Sequence, residues 1–266
     1  MALGDYVEIG RMDELGRLDT PVHRLDARSK AIATVAFIVV VMSYHRYEIS
    51  ALLPLSLYPL VLITIGGLPP GYLFKKVIIA APFALLVGVF NPLLDRQTQA
   101  SIWGYSISGG WLSFGSIMIR FVLTVTAALA LVGCTGIHRL CAGLERLGLP
   151  RVLAVQLLLL YRYIFVIAED GLRMLRSVHM RSTGTRSPGL RTYASLIGHL
   201  LLRSLGRAHR IYQAMIARGF DGEIRVLRPG RWGWSEVVFT TGWLAFFAVA
   251  RAWNLAEALG RLLTRT

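Results

Sequence analysis

The chain has 266 residues, 55% of them hydrophobic and 17% charged, with a mean hydropathy of +0.55. Because the apolar residues are clustered, this composition excludes an ordinary soluble domain and predicts an integral membrane protein. The net charge of +14 comes from basic residues that flank apolar segments, and no basic-aromatic module is present, so we expect contact with the lipid bilayer and not with nucleic acid.

The first two predicted spans follow an N-terminal arm that mixes acids and arginines. Because residues 1–26 have no apolar core, we expect no cleavable signal peptide. A span needs about 20 mostly apolar residues. Residues 27–44 meet this need, with Lys30 expected to snorkel to the interface. The second span is predicted at 49–68, where Pro54 and Pro59 interrupt it.

Three further spans bring the predicted number to about five. They are expected at 77–94, at 114–135 and at 237–253, and the polar, Gly-rich segment 95–113 is predicted to be an external loop. Arg120 lies in the first turns of the fourth span. An intramembrane charge can indicate function, but its position near the external end favours snorkelling.

The distribution of basic residues predicts the orientation. Lys and Arg are frequent in the N-terminal arm and after the fourth span, whereas the loops after the first and third spans hold only Arg46 and Arg96. Both the N-terminus and the segment after the fourth span are therefore expected in the cytoplasm. Residues 152–168 are nearly long enough to cross, but Gln156 and Arg162 interrupt them. We expect a helix buried against the bundle or lying at the interface, and a sixth crossing stays open.

The segment from Gly171 to Arg231 holds twelve Arg, no Lys and two acids, and it is predicted to form two cytoplasmic helices. Glu169 and Asp170 are expected to begin the first helix. The second is predicted from Tyr193 to Arg218, with Gly219 as its C-terminal cap. This helix is expected to be amphipathic, with one apolar face and one cationic face. The apolar face holds Leu201, Leu205, Ala208, Tyr212 and Met215, and the cationic face holds Arg203, Arg207 and Arg210.

Motifs of catalysis and metal binding are absent from the sequence. It has no phosphate-binding loop, no H-E-x-x-H and no nucleophile elbow. Its six His are scattered, and Cys134 and Cys141 have neither the number for a disulfide framework nor the spacing of a zinc site. We therefore expect no catalytic residue, no cofactor and no metal site in this chain.

Two arginine triplets are the strongest candidate site. They are Met180-Arg181-Ser182 and Ala217-Arg218-Gly219, whose arginines lie 37 residues apart. Each ends a predicted helix with Arg followed by a small residue, which lets a partner approach so that the guanidinium can reach carboxylates or carbonyls in a groove. A solvated cationic face explains the pattern equally well from chemistry alone.

With these triplets behind several spans, the sequence resembles the T component of energy-coupling factor (ECF) transporters. The segment PVHRLDARSK before the first span and PFALLVGVFNPLL in the third resemble its cobalt/nickel branch, the CbiQ-like proteins. The resemblance implies a scaffold that joins two ABC ATPase subunits to a small substrate-binding membrane protein, the S component. It implies that Arg181 with Ser182 contacts one ATPase and that Ala217, Arg218 and Gly219 contact the other. Met180 departs from the Ala that the family prefers.

We therefore predict an all-α polytopic membrane helix bundle with cytoplasmic amphipathic coupling helices, located in the inner (plasma) membrane. Residues 1–136 would form the arm and four spans, 137–231 the coupling module, and 232–266 the last span and tail. The expected function is to couple ATP hydrolysis to uptake of cobalt or nickel. A membrane enzyme acting on phosphate-bearing lipid through the Arg-rich segment is the alternative, and a stand-alone carrier is disfavoured by the nearly uncharged spans.

Overall fold

The computed structural model of the chain describes residues 15–16, 18–44, 50–94, 98–102, 105–181, 189–222 and 232–252. Within these ranges the helices are α1 Pro21–Arg24, α2 Ala27–Ser43, α3 Leu57–Gly66, α4 Pro70–Leu94, α5 Gly109–Thr135, α6 Ile137–Arg146, α7 Arg151–Arg181, α8 Leu190–Ala217 and α9 Trp234–Ala252. Two 3-10 turns, Ser50–Leu52 and Pro54–Ser56, precede α3. The predicted all-α membrane helix bundle is confirmed.

Three of the described helices are long and apolar enough to cross a membrane. They are α4 over Pro70–Phe90, α5 over Gly110–Thr135, and α7. Helices α4 and α5 contain the third and fourth predicted spans, and α4 begins at Pro70, seven residues before the predicted start at 77. Helices α2 and α9 form where the first and last spans are predicted, over 17 and 19 residues.

The second predicted span is a shorter helix than expected. Residues 50–56 form 3-10 turns, and α3 has only ten residues. Pro54 opens the second 3-10 turn. Pro59 lies in the first turn of α3, where backbone N–H groups form no intrahelical hydrogen bond, so a proline there costs the helix none. Gly67 ends α3 at a positive φ of 63°.

The polar segment 95–113 is not all loop. Strands β1 Thr98–Ile102 and β2 Tyr105–Ser108 form an antiparallel hairpin in which Ile102 pairs with Tyr105. Helix α5 then begins at Gly109, five residues before the predicted start of the fourth span. Pairing the strands satisfies backbone groups that a loop would leave to water.

Helix α7 corrects the prediction that one helix ends near Ala168 and another begins at Glu169. It runs without a break for 31 residues and joins the apolar segment 152–168 to the first basic helix. No proline interrupts it, and Glu169 pairs with Arg173 one turn later, which stabilises the helix interior instead of starting a helix.

Helices α2, α3 and α9 pack around a buried aromatic cluster. The ring of Phe37 lies 4.9 Å from that of Tyr58 and 5.6 Å from that of Phe247, and Tyr58 is 4.8 Å from Trp243. The Tyr58 hydroxyl is satisfied by the Thr34 hydroxyl at 2.7 Å. Aromatic pairs at these distances add to the free energy of simple burial.

Lys30 is bound inside the bundle, so the expectation that it snorkels to the interface is wrong, whereas Arg120 is only partly buried and reaches a carbonyl at the end of α2. Lys30 is only 1% exposed, and its Nζ donates to the Cys134 carbonyl at 2.9 Å, near the C-terminus of α5. Arg120 donates to the Tyr44 carbonyl at 3.0 Å, just past the end of α2. Carbonyls at helix C-termini lack intrahelical donors and attract cations, which explains both contacts.

The chain divides into two compact units, with the boundary between Gly143 and Leu144 in α6. Helices α1 to α5 and α9 belong to one unit, and α7 and α8 belong to the other. The candidate site lies in the second unit, within the segment 137–231 predicted as the coupling module.

Candidate partner-binding site

Helices α7 and α8 contact each other near their middle. Asp170 of α7 forms an ion pair and hydrogen bond with Arg207 of α8. Close by, a Cβ added at Gly171 would lie 3.4 Å from Leu200, so the small residue allows close approach of the helices. These contacts define the crossing of the helix pair.

The sequence predicted that Arg207 belongs to a solvated cationic face of α8, but the structure does not place it there. Its side chain is 30% exposed and that of Asp170 is 12% exposed, whereas Arg203 and Arg210 are exposed. The side of α8 that faces α7 instead holds Ser204, Arg207, Ile211 and Met215 at helical spacing.

The predicted apolar face of α8 is therefore divided. Met215 is half-buried and faces α7, while Leu201, Leu205 and Tyr212 are more than half exposed. The spacing of apolar residues identified an amphipathic helix but could not show which part of its apolar face contacts α7, because spacing within one helix contains no information about the position of a neighbouring helix.

The first triplet lies at the end of α7. Arg181 is the last residue of the helix and is exposed, and Met180 beside it is 81% exposed. Ser182 lies outside the described residues. The long, exposed Met180 side chain stands where the family resemblance implies an alanine.

The second triplet forms the C-terminal cap of α8. Gly219 has a φ of +77°, and its N–H donates to the Ile216 carbonyl at 2.9 Å. The N–H of Phe220 donates to the Met215 carbonyl at 3.0 Å. This pair of bonds is the Schellman motif, and it confirms Gly219 as the predicted cap. Ala217, Arg218 and Gly219 are all exposed.

The two triplets lie at opposite ends of the helix pair. Past the crossing, α8 runs back beside the N-terminal half of α7, since residues from Ser204 to Phe220 face residues from Leu153 to Ile167. At 1.5 Å per residue, Arg181 is about 15 Å beyond Gly171 along α7 and Arg218 is about 17 Å beyond Arg207 along α8. The two arginines therefore lie at helix ends on opposite sides of the crossing of α7 and α8.

An apolar groove lies between the two helices on the Arg218 side of the crossing. Its volume is about 660 Å³. The residues that line it are Leu153, Gln156, Leu157, Leu159, Leu160, Tyr163, Ile164, Ile167, Ser204, Arg207, Ala208, Ile211, Tyr212, Met215 and Phe220. Sequence reasoning missed both this groove and the Asp170–Arg207 pair. The available signal was that the only acids between 151 and 181 occur together in an arginine-rich segment.

The described residues contain no group of three or more His, Cys, Asp or Glu side chains placed to hold a metal ion. Cys134 and Cys141 are buried free thiols, and burial raises the pKa of Cys141 in α6. His45, one of the six scattered histidines, lies outside the described residues.

A family model for CbiQ, described as a cobalt transport protein, matches residues 19–229 and so includes both triplets. The chain belongs to the CbiQ family. The resemblance drawn from the triplets and the first and third spans is thereby confirmed. As a CbiQ-family protein, it is a multi-pass integral protein of the plasma membrane.

Relatives named for ECF, cobalt and nickel transport support this assignment. The energy-coupling factor transporter transmembrane protein EcfT of Heliobacterium modesticaldum is 25% identical over 275 residues, covering 96% of this chain and 98% of that protein. The cobalt transport protein CbiQ of Rhodobacter capsulatus is 39% identical over 89 residues, which are 33% of this chain and 36% of that protein. The nickel permease LarQ of Lactiplantibacillus plantarum is 28% identical over 165 residues, covering 56% and 60%.

Proposed function

We propose that this CbiQ-family protein is the transmembrane scaffold of an ECF-type importer, coupling ATP hydrolysis by two ABC ATPase subunits to metal uptake by a substrate-binding membrane partner. The observation that carries the proposal is the helix pair with an exposed arginine at each far end. The nearly full-length similarity to a protein named as an ECF transmembrane component supports it.

Each triplet is proposed to bind one ATPase subunit. Arg181 and Arg218 both end a helix, are exposed, and lie on opposite sides of the crossing, so two copies of a partner could bind without overlapping. A guanidinium offers five N–H donors in a planar fork, which suits carboxylates or carbonyls in a groove of the partner. Gly219 and Ala217 leave room beside Arg218 for such a groove.

Metal choice is proposed to lie with the substrate-binding partner. Relatives are named for cobalt and for nickel alike, and the described residues of this chain hold no metal-ligand group. The sequence prediction of cobalt or nickel as the transported ion thus stays a proposal with both ions open.

The enzyme alternative loses support from the two acids of α7. A transferase acting on phosphate-bearing lipid would need carboxylates to hold a metal ion. Glu169 is paired with Arg173, and Asp170 is paired with Arg207. We therefore propose that the chain has no catalytic activity of its own.

The test is ATPase co-purification and metal uptake for arginine variants, with membrane levels checked. Arg218→Ala and Arg181→Ala should each impair assembly or coupling, because truncating a buried charge at an interface costs roughly 2–5 kcal/mol. Arg218→Ala should be the more severe, since Met180 crowds the first triplet, and Arg→Lys should rescue only partly because an ammonium cannot bind bidentately.

Arg203→Ala is the matched control, since Arg203 is exposed on the same helix as Arg218. Arg207→Ala is unsuitable, because it would leave Asp170 without its partner. If Arg203→Ala reduced co-purification as much as Arg218→Ala, the triplets would be no more than part of a general cationic surface, and the coupling proposal would fail.

A further inference from the structure

Asp170 and Arg207, which join α7 to α8, lie at equal sequence distances from the two triplet arginines. Arg181 follows Asp170 by eleven residues along α7. Arg218, which caps α8, follows Arg207 by the same number. Eleven residues are about three helical turns, so each triplet arginine lies about 16 Å from the crossing and on about the same face of its helix as the crossing residue. The ion pair therefore relates the positions of both arginines to one point.

The apolar contacts between the two helices do not select one register. A groove of about 660 Å³ lies between them, so their apolar side chains do not interdigitate fully there. Gly171 approaches Leu200, but Leu196 lies one turn earlier on α8 and would offer the same side chain after a shift of α8 by one turn. Surfaces of similar aliphatic side chains specify their packing poorly. On α7 the groove is lined mainly by Leu153, Leu157, Leu159, Leu160, Ile164 and Ile167.

The ion pair, by contrast, distinguishes one register from its neighbours. Helix α8 contains four Arg and no acid over Leu190–Ala217, so Asp170 supplies the carboxylate at the crossing. A shift of one turn replaces Arg207 by Ile211 and leaves the largely buried Asp170 carboxylate without a cation. The opposite shift brings Arg203 to Asp170 but moves Arg207 against the apolar half of α7. Each shift leaves a partly buried charge uncompensated, which is costly.

We propose that Asp170 and Arg207 are positioning residues, whose ion pair fixes the register of α7 against α8 and thereby the distance between Arg181 and Arg218 that two ATPase subunits require. The role of the two ATPase subunits rests on the proposed function. Selecting one register is a use of buried polar pairs that is separate from added stability. A partner that needs both arginines at one spacing binds only the fraction of molecules in the correct register.

The first test measures a distance in the purified full-length chain in detergent, without ATPases. Nitroxide labels are attached to cysteines introduced at Met180 and Ala217, which are exposed, while the native cysteines are buried. Double electron–electron resonance should give one narrow distance distribution. Asp170→Leu combined with Arg207→Met should broaden it by about 5 Å, the rise of one helical turn. The thermal midpoint should not fall, because apolar residues often replace a buried ion pair without loss of stability.

The matched control is Glu169→Leu combined with Arg173→Met. It makes the same chemical change in an ion pair that lies within α7 and does not join the helices, so the distribution should stay narrow. Arg207→Lys keeps the cation opposite Asp170 and should also keep it narrow. A narrow distribution in the Asp170→Leu, Arg207→Met protein would overturn the proposal, and so would a control pair that broadens it equally.

The second test is ATPase co-purification with the same variants. If the Asp170→Leu, Arg207→Met protein divides equally among the native register and a shift of one turn either way, about a third of it is competent, and the apparent affinity should fall roughly threefold. Unchanged affinity despite broadened distances would overturn the positioning role. Failure of Arg218→Ala to reduce co-purification would instead count against the proposed function, and the distance result would stand without it.

Discussion

His23 is a buried imidazole just before the first long helix of the bundle. Its Nε2 lies 2.9 Å from the Leu15 carbonyl, and its Nδ1 lies 2.7 Å from the Thr20 hydroxyl. Since a carbonyl can only accept, we assign the proton to Nε2. Burial lowers the pKa of His23 below its ordinary value, and the nearby Lys30 adds to this effect. The side chain is therefore held neutral where it packs.

This environment predicts a loss of stability in mild acid. Because the pKa of His23 is lower in the folded chain, the unfolded chain binds more protons below about pH 6.5, and the free energy of unfolding falls as the pH drops through that value. Thermal unfolding of the purified protein should show this decline, and His23→Gln should show a smaller one. A variant profile as steep as that of the wild type would assign the decline to other groups.

Residue contacts of this kind could be predicted only in part. The sequence identified Lys30, Arg120 and Arg207 as cations near interfaces or helix faces, and all three are bound to carbonyls or a carboxylate. Their partners are up to 104 residues away in the chain, and hydropathy contains no information about such distant acceptors. Gly219, whose role depends on its own helix, was predicted correctly.

The Schellman motif at the end of α8 holds Arg218 in place. Gly219 adopts a φ of +77°, and a Cβ added there would have no neighbouring atom within 4 Å, so a substitution would cause backbone strain without a steric clash. Such strain costs about 1–2 kcal/mol in an L-residue.

We therefore expect Gly219→Ala to loosen the end of α8 and to weaken ATPase co-purification. Hydrogen exchange at the Phe220 amide, which donates to Met215, should be roughly five- to thirtyfold faster. Gly189→Ala is the control, because Gly189 caps the start of the same helix at a φ of −68° with equally open space. Equal exchange rates in the wild-type and Gly219→Ala proteins would show that the cap does not order this end.

The sequence predicted those helix boundaries that are set by residues close to the boundary itself. The end of α8 and the positions of α4 and α5 follow from a glycine and from long apolar runs, which act within a few residues. The continuity of α7 through Glu169 was missed because acids are typical of helix starts, and here they pair with arginines inside a helix instead. The 3-10 turns before α3 and the hairpin before α5 were missed because neither has a distinctive pattern of apolar residues.

The orientation of the whole molecule in the membrane stays a prediction from the distribution of basic residues. The segment 171–231 is expected in the cytoplasm and 95–113 outside. Cysteines introduced at Ser101 and Ser187 can be probed on intact cells with an impermeant thiol reagent, and only the one at Ser101 should react. The native Cys134 and Cys141 are buried, so their background should be low. Reaction at Ser187 but not at Ser101 would reverse the orientation.

Helices α7 and α8 cross at a single point, where Asp170 contacts Arg207. Arg181 and Arg218 end different helices on opposite sides of this crossing point. If both helices are rigid, widening the angle between the N-terminal half of α7 and the C-terminal half of α8 brings Arg181 and Arg218 closer together. The width of the groove and the distance between the two arginines are then inversely related, so partners that draw the two arginines together would open the groove.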